Sequence, residues 1–384
     1  MAEDLKAKTV KGVSWSFVEQ VLTRGVNFVI GIILARLLSP TDYGLVGMLG
    51  IFIAISQIFI DGGFASALIR EKDASEADFS TVYYINFTLS IVFYLLLFFT
   101  APLVANFYGQ PLLKPLMRVM ALTLVISAVS AVQGTMLVKR VDFKTKSVIS
   151  ILSAILSGTA GIVFAIKGKG PWALVAQSMT TAIVVSLLTL IFVRWMPKLL
   201  FSKDSFKRLF SYSSKLIVAS LISTIYDNAY PMVIGKRFSA KDVGLFTRAC
   251  QFPNVVNETF MNSFNRVAFP IFSRVQDDDE RLVGVYDKYI QVFCFLVFPL
   301  LMGLCGCSRP VVSLLLTDKW IECVPLMQLI CLSLLPNGII RINLNLLYVK
   351  GRSDLLLRME IWVAVEAVEA LRQRHAADAV PRGR

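Results

Sequence analysis

The chain has 384 residues, of which 56% are hydrophobic and 17% are charged, and its formal net charge is +13. Soluble domains carry about 25% charged residues, so this composition excludes an ordinary soluble protein. Apolar runs of roughly 20 residues, the length that crosses a bilayer as a helix, recur along the chain and predict an all-α integral membrane protein. We attribute the positive charge to loops that set membrane orientation, so nucleic acid is not an expected partner.

Residue types that support catalysis or metal binding are scarce. The single histidine, His375, lies in the C-terminal tail, which excludes a histidine-based triad or a multi-histidine metal site in the membrane body. None of the six cysteines belongs to a C-x-x-C pair, and buried inert thiols are their expected state. No catalytic residue, metal site or cofactor is therefore predicted.

The apolar runs predict ten spans. Six lie in the first part of the chain, at about residues 12–37, 44–69, 82–107, 112–137, 148–166 and 172–194. Four more follow at about residues 212–235, 247–272, 285–307 and 321–348. Gly62-Gly63 and Pro231 are candidate helix breaks, which in transporters lie near binding sites, although ordinary spans also contain glycine and proline.

A short polar turn between two apolar runs occurs twice, 200 residues apart. Ser39, Asp42, Gly44 and Leu45 of the first turn match Ser239, Asp242, Gly244 and Leu245 of the second. Further matches follow in the same order along both copies, so we infer an internal duplication. Within the turn, aspartate and serine are expected to close the turn or cap the next helix, and glycine allows the backbone to tighten. A structural role is favoured over a catalytic one.

The duplication predicts the architecture. Because each copy has six spans, both insert the same way up, which gives two six-helix lobes related by a pseudo-two-fold axis along the membrane normal. We assign residues 1–204 to the N-lobe and residues 205–362 to a partial C-lobe with about four to five spans. Residues 363–384 form a polar tail that looks non-native or frameshifted, so the second lobe is expected to be incomplete. The positive-inside rule predicts a cytoplasmic N-terminus.

Polar side chains at bilayer depth are costly and normally face a cavity or a partner. A cationic lumen for a phosphate-bearing substrate is predicted to be lined by Arg24, Arg266, Arg341, Asn257 and Asn265. Arginine suits this role because its guanidinium binds phosphate bidentately. The alternatives are internal salt bridges, such as Arg24 with Glu19 or Asp61, and hydrogen bonds between helices for the amides.

Buried acids are candidates for coupling transport to a proton or a sodium ion. These candidates are Glu19, Asp61, Asp227 and Glu258. Each of them could instead neutralise a nearby arginine.

Four segments together resemble a known family: residues 34–46, 61–69, 101–108 and 170–175. In combination they are similar to the Wzx-type polysaccharide and O-antigen flippases, colanic-acid exporter-like branch, of the multidrug/oligosaccharidyl-lipid/polysaccharide exporter superfamily. The similarity covers about residues 5–360.

The resemblance implies a MATE-like, V-shaped pair of lobes around a central cavity in the bacterial inner membrane. It implies transfer of undecaprenyl-pyrophosphate-linked oligosaccharide, such as a lipopolysaccharide O-antigen unit, to the periplasmic leaflet by alternating access. Membrane lipids, H⁺ or Na⁺ and the polysaccharide polymerase or export machinery are the partners it suggests. Two alternatives stay open: a cation-coupled multidrug antiporter of the same fold, and a membrane glycan polymerase or ligase, which would need a larger outer loop.

Overall fold

The computed structural model describes residues 22–71, 73–274 and 278–349, and every regular element in these ranges is helical. The helices are α1 (22–37), α2 (Pro40–Asp61), α3 (Phe64–Arg70), α4 (Glu76–Tyr108), α5 (Leu113–Ala128), α6 (Ala131–Lys139), α7 (Phe143–Ile166), α8 (Trp172–Val193), α9 (Lys203–Arg237), α10 (Ala240–Arg274), α11 (Asp279–Gly306), α12 (Ser308–Leu315) and α13 (Val324–Val349). A 3₁₀ helix, Asp318–Cys323, precedes α13. The prediction of an all-α fold is confirmed.

Seven helical segments of the described ranges are long and apolar enough to cross a membrane, or eight if α5 and α6 form one bent span. The seven segments correspond to predicted spans two, three, five, six, seven, nine and ten, and the bent pair corresponds to span four. The first predicted span lies partly outside the described residues. The eighth corresponds to α10, which is not among these segments, and its amides and charged residues make it the most polar of the predicted spans.

Two predicted helix breaks have different outcomes. Gly62 and Gly63 have φ angles of +53° and +68°, a left-handed backbone that glycine adopts readily, and they separate α2 from α3 as predicted. Pro231 lies inside the continuous helix α9, so the prediction of a break there is wrong. A proline removes one backbone hydrogen bond, which a 35-residue helix tolerates without ending. An unpredicted break separates α5 from α6, whose axes are bent by 46°.

The chain divides into two compact units, and the first contains residues 1–247 and 312–321. Its core is formed by buried side chains of α2, α4, α5 and α8, including Leu49, Ala101, Leu116, Leu124 and Val175. Van der Waals packing of this kind, rather than exclusion of water, is what holds helices together within lipid.

The duplicated turns are helix caps in both copies. The Ser39 backbone N–H donates to Asp42 Oδ2 at 2.8 Å, and the Asp42 N–H donates to Ser39 Oγ at 3.3 Å. The corresponding distances between Ser239 and Asp242 are 3.0 and 3.3 Å. Each turn is therefore a capping box that satisfies backbone donors at a helix N-terminus, and the predicted structural role is confirmed.

The two caps also pack directly against each other. A Cβ atom placed on Gly44 would lie 1.6 Å from the Ala240 carbonyl oxygen, and one placed on Gly244 would lie 1.8 Å from the Pro40 carbonyl oxygen. We call this contact the cap junction. Its reciprocity, each glycine against the residue that begins the other helix, is that of a local two-fold axis. No side chain larger than hydrogen fits at either position in this geometry.

A later stretch of chain, residues 312–321, packs onto the end of α1 within the same unit. Trp320 is fully buried, donates from Nε1 to the Ala35 carbonyl at 2.8 Å, and packs edge-on against Tyr43 with ring centroids 5.5 Å apart. Lys319 Nζ donates to the Arg36 carbonyl at 2.6 Å. These contacts hold the turn between α1 and α2 in place.

The second unit contains residues 248–311 and 322–384. In its described part, α11 packs against α13 around the buried side chains Phe272, Phe293, Leu301 and Ile342. The Tyr286 hydroxyl donates to Asn343 Oδ1 and joins these two helices through a polar contact.

Candidate functional site

A cavity of about 680 Å³ lies in the first unit, where both broken spans of that unit meet. Gly63, from the break between α2 and α3, and Ser130, from the break between α5 and α6, both line it. Residues of α4, α8 and α9 complete the wall. Discontinuous helices of this kind form substrate and ion sites in transporters because their unpaired backbone groups face a cavity rather than lipid.

The cavity wall is rich in neutral polar groups. Its polar side chains are those of Gln57, Asp61, Ser66, Asn86, Ser127, Ser130, Thr135, Thr189 and Ser220. Among the described residues that line the cavity, Asp61 carries the one charge. The wall is therefore electronegative and hydroxylated, which disfavours a phosphate group in this cavity and favours a cation or a neutral hydroxyl-bearing ligand.

Asp61 is the last residue of α2, directly before the glycine pair. Its Oδ1 accepts a hydrogen bond from Gln57 Nε2 at 3.0 Å, one helical turn earlier. The Gly62 N–H donates to the Ile58 carbonyl at 2.8 Å and closes the helix. The C-terminus of a helix carries roughly half a negative charge, so the carboxylate and the helix end reinforce each other's potential.

Asn86, on α4, is 4% exposed, and its Oδ1 atom has no hydrogen-bond partner. An unsatisfied buried acceptor costs about 1–3 kcal/mol, and such groups are rare in folded proteins. This oxygen is therefore a buried acceptor that the packing of α4 leaves unsatisfied in the cavity wall.

Ser130 connects the cavity to a buried hydroxyl chain. Its Oγ donates to Ser186 Oγ at 3.0 Å, and Ser186 Oγ donates to the Ile126 carbonyl at 2.7 Å. Because the Ser130 proton is used in this chain, its oxygen presents lone pairs to other partners. The chain also joins α8 to the end of α5 at the bend.

A second cavity of about 480 Å³ lies beside the start of α9, and four of its lining residues are charged: Arg70, Glu71, Asp73 and Arg208. Arg208 Nη2 lies 2.7 Å from Oδ1 of Asp78, whose side chain is 1% exposed, and Arg208 Nε lies 3.8 Å from Glu71 Oε2. Arg70 stacks over the Tyr212 ring at 4.8 Å. This cluster fixes α9 to the end of α3 and the start of α4, so we interpret it as structural.

The structure brings one predicted site residue, Asp61, into the cavity. Arg24 is exposed on α1, and Asp227 is exposed on α9, where its Oδ2 accepts from Ser223 Oγ at 3.5 Å. Both of these residues belong to the first unit. Glu19 lies outside the described residues.

The remaining predicted residues belong to the second unit. Asn257 is 8% exposed on α10 with its Oδ1 unpartnered, and Glu258, next to it, is exposed. Arg341 is exposed on α13 and donates from Nε to Asn337 Oδ1 at 3.4 Å. Asn265 and Arg266 lie on α10, but their side chains are outside the described part of the structure. The arginine lumen therefore stays a prediction.

The sequence analysis did not single out Asn86 or Ser130. A signal for Asn86 was present, because an amide interrupts the apolar third span at residue 86. Ser130 gave no signal, since serine is common in spans and the bend beside it carries neither glycine nor proline.

A family model described as "Polysaccharide biosynthesis protein" matches residues 33–325. Among curated proteins, Succinoglycan biosynthesis transport protein ExoT of Rhizobium meliloti (strain 1021) is 27% identical over 334 residues, which cover 87% of this chain and 68% of that protein. Lipopolysaccharide biosynthesis protein WzxC of Escherichia coli (strain K12) is 27% identical over 361 residues, which cover 93% of this chain and 73% of that protein. Teichuronic acid biosynthesis protein TuaB of Bacillus subtilis (strain 168) is 26% identical over 356 residues, which cover 90% of this chain and 72% of that protein.

Two solved structures share the fold. Lipid II flippase MurJ, in an inward closed conformation, aligns with a TM-score of 0.70 at 15% identity and covers 88% of this chain and 76% of its own. An inward-facing MATE-family multidrug resistance transporter aligns with a TM-score of 0.63 at 14% identity, and the alignment covers 86% of this chain and 81% of that structure. At this level of identity the two structures establish a common fold, that of a multi-span helical membrane protein.

Proposed function

Because the chain belongs to the polysaccharide biosynthesis protein family, we propose that it is a membrane transporter that moves a lipid-linked glycan precursor across the bacterial inner membrane. In this proposal the cargo is an undecaprenyl-pyrophosphate-linked oligosaccharide repeat unit, and the direction is from the cytoplasmic to the periplasmic leaflet. The N-terminus is cytoplasmic, and the chain supplies precursors to polysaccharide polymerase and export machinery.

The observation that carries the proposal is the family match along residues 33–325, which includes both duplicated turns and the helices between them. The names of the relatives support it: one is a succinoglycan biosynthesis transport protein and another a lipopolysaccharide biosynthesis protein. The fold is shared with a lipid II flippase.

The proposed transport fold has an N-lobe at residues 1–204 and a C-lobe at residues 205–362. We retain the prediction that Arg24, Arg266 and Arg341 bind the phosphate groups of the cargo, because a guanidinium pairs with phosphate in a fixed, bidentate geometry. Asn257 and Asn265 then bind polar groups of the same ligand. The exposure of Arg24 and Arg341 is compatible with this role.

A genetic complementation experiment tests the proposal. Deletion of the gene in its native host is expected to abolish a surface glycan and to cause lipid-linked repeat units to accumulate, and expression of the 384-residue chain is expected to reverse both effects. A normal surface glycan in the deletion strain, combined with increased drug sensitivity, would contradict the proposal and support the antiporter.

Substitutions refine the same experiment. Arg341→Ala is expected to lower the recovered glycan at least tenfold, because loss of a charge-assisted pair with phosphate removes more than about 1.4 kcal/mol of binding. Arg281→Ala is the matched control, since Arg281 is 78% exposed and pairs with Asp278 one turn away. Equal complementation by both variants would exclude Arg341 from the substrate site.

A further inference from the structure

We propose that the groove between α4 and α5 at Lys114 and Arg118 binds the headgroup of an anionic glycerophospholipid. Arg118 binds the lipid phosphate, Lys114 adds a second positive charge, and exposed apolar side chains of α4 contact the acyl chains. Neither basic residue lines the 680 Å³ cavity, and the binding does not depend on the identity of the transported glycan. In the proposed orientation, with the N-terminus cytoplasmic, the lipid belongs to the periplasmic leaflet.

A proline explains how Arg118 is held. Pro102 lies inside α4 and has no N–H, so the Phe98 carbonyl, four residues earlier, loses the hydrogen bond that a helix normally gives it. Arg118 Nε donates to this carbonyl at 3.3 Å, and the guanidinium carbon lies 4.1 Å from the centroid of the Phe98 ring. These two contacts hold the guanidinium against α4 before any ligand binds.

The positive charge of Arg118 stays unpaired. Its contact with Phe98 uses one of the five N–H donors of a guanidinium and involves no negative charge. Across the described ranges of the chain, no acidic residue forms an ion pair with Arg118. A charged side chain within a span normally faces a cavity or binds a partner. The surrounding lipid is the nearest source of an anion for this one.

A second cation strengthens the site. Lys114 is exposed and precedes Arg118 by four residues, so both side chains lie on the same face of α5. Lys114, too, forms no ion pair with any residue that the structure describes. Two like charges one turn apart repel each other, and an anion between them relieves the repulsion. The pair matches a phosphodiester, because the guanidinium binds two phosphate oxygens and the ammonium adds a point charge.

The depth of the two residues matches that of a lipid headgroup. Lys114 is the second residue of α5, which begins a bent span, and Arg118 lies about 6 Å further along the helix. The polar layer on each side of a bilayer is roughly 5–8 Å thick. Long basic side chains extend from a helix into this layer. Together the two cations cover the layer in which phospholipid phosphates lie.

The neighbouring surface of α4 suits acyl chains. Phe99 follows the ring that Arg118 covers and is 70% exposed, and Leu95, one helical turn deeper, is 44% exposed. Both belong to a helix that is long and apolar enough to span a membrane, so their exposed faces contact lipid. A phospholipid uses this apolar surface, whereas a free phosphate ion has no part that would contact it.

The first experiment measures Tm of the purified full chain in a neutral detergent. The protein is titrated separately with dioleoylphosphatidylglycerol, dioleoylphosphatidylcholine and inorganic phosphate at constant ionic strength and pH. We expect a saturable rise in Tm with phosphatidylglycerol. The half-saturating concentration of phosphatidylcholine is expected to be at least tenfold higher, because choline neutralises the phosphate charge. Inorganic phosphate is expected to give no saturable rise, since it lacks acyl chains.

Substitutions assign the response to the groove. Arg118→Gln is expected to raise the half-saturating concentration of phosphatidylglycerol at least tenfold, because it removes a charge-assisted pair with phosphate. Lys114→Gln is expected to raise it about threefold, the effect of a partly hydrated charge pair. Lys167→Gln is the matched control and is expected to keep the wild-type value, since Lys167 is an exposed lysine at the C-terminal end of α7.

Two readouts separate lipid binding from a structural role of Arg118. Arg118→Gln also loses the contact with Phe98, so its Tm without lipid is expected to fall, whereas Lys114→Gln is expected to keep the wild-type Tm without lipid. Lys114→Gln therefore tests the site even where Arg118→Gln does not fold. Equal half-saturating concentrations for the two lipids, an equal response to inorganic phosphate, or a wild-type value in Lys114→Gln would overturn the proposal.

The outcome is separable from that of the proposed function. Selective phosphatidylglycerol binding that depends on Lys114 would support the lipid site even if the chain did not restore the surface glycan. Restoration of the glycan by a chain without selective binding would overturn the lipid site and leave the transporter proposal intact.

Discussion

Replacing Gly44 by alanine is expected to force the two copies of the duplicated turn apart. The added Cβ atom would lie 1.6 Å from the Ala240 carbonyl oxygen and 2.5 Å from its carbonyl carbon. Both atoms are backbone, so no flexible side chain can rotate away. Non-bonded heavy atoms normally approach to about 3.5 Å, so the cap junction must open by roughly 1.5–2 Å.

The magnitude follows from two opposing effects. Forcing an extra carbon into a packed contact costs about 1–3 kcal/mol, and more where the backbone must move. Alanine is a better helix former than glycine by about 0.5–1 kcal/mol, which offsets part of this cost. We expect a net loss of about 2 kcal/mol and, for a unit of this size, a fall in Tm of about 4–8 °C.

The assay is thermal unfolding of the purified protein in detergent, with Gly284→Ala as the control. Gly284 lies inside α11, and a Cβ there meets nothing within 4 Å, so alanine is expected to be neutral or stabilising. Gly244→Ala is expected to behave like Gly44→Ala, because its Cβ would lie 1.8 Å from the Pro40 carbonyl oxygen. The double variant is expected to lose less stability than the sum of the two single losses, because either substitution alone already opens the cap junction. Wild-type Tm values for both single variants would refute the packing described.

Three further substitutions probe other contacts of the first unit. Trp320→Phe removes the 2.8 Å hydrogen bond to the Ala35 carbonyl and is expected to lower stability by about 1–3 kcal/mol, seen as a lower midpoint in thermal unfolding. Asp78→Asn is expected to cost about 1–2 kcal/mol, because it weakens a charge-assisted bond to Arg208, whose side chain is 54% exposed and keeps part of its hydration. Ser239→Ala removes the cap of α10 and is expected to cost about 0.5–2 kcal/mol by the same measurement.

For each of these three substitutions, one result would contradict the prediction. A wild-type unfolding midpoint in Trp320→Phe would mean that the indole N–H contributes nothing to anchoring residues 312–321. If raising the salt concentration destabilised wild type and Asp78→Asn equally, the ion pair would not account for the effect. Tolerance of alanine at residue 239, together with a loss at residue 39, would limit the capping role to the first copy.

Local chemistry made the helices and caps predictable from sequence. Ser39 and Asp42 have the spacing of a capping box, and Gly62-Gly63 allows the left-handed backbone that ends α2. Apolar length identified the spans, because helices in lipid must satisfy their backbone groups internally. The second cap, formed by Ser239 and Asp242, was predicted because the repeat places the same residue types at the same spacing.

The predictions of helix breaks from sequence failed where tertiary packing decides the structure. Pro231 was expected to break its helix, but the loss of one hydrogen bond is small within the 35 residues of α9. The bend between α5 and α6 carries no glycine or proline, and the contacts that accompany it, such as the bond between Ser130 and Ser186, join residues 56 positions apart. Contacts over such separations leave no local sequence pattern.

The candidate site was predictable only in part. Asp61 was identified because a carboxylate in an apolar run is costly and is therefore usually functional. Its location in the same cavity wall as Asn86 depends on how α2 packs against α4, which the periodicity of each helix does not reveal. The cap junction is similar: Gly44 and Gly244 were recognised as equivalent, but equivalence does not imply contact.

The most direct test of the central claim is the leaflet distribution of lipid-linked repeat units in cells that lack the native gene. Units in the outer leaflet would be measured by their accessibility to a periplasmically applied glycan-binding probe, with and without expression of this chain. The proposed function predicts that accessible units rise to wild-type levels only when the chain is expressed. An unchanged accessible fraction, with the protein present in the membrane, would contradict it.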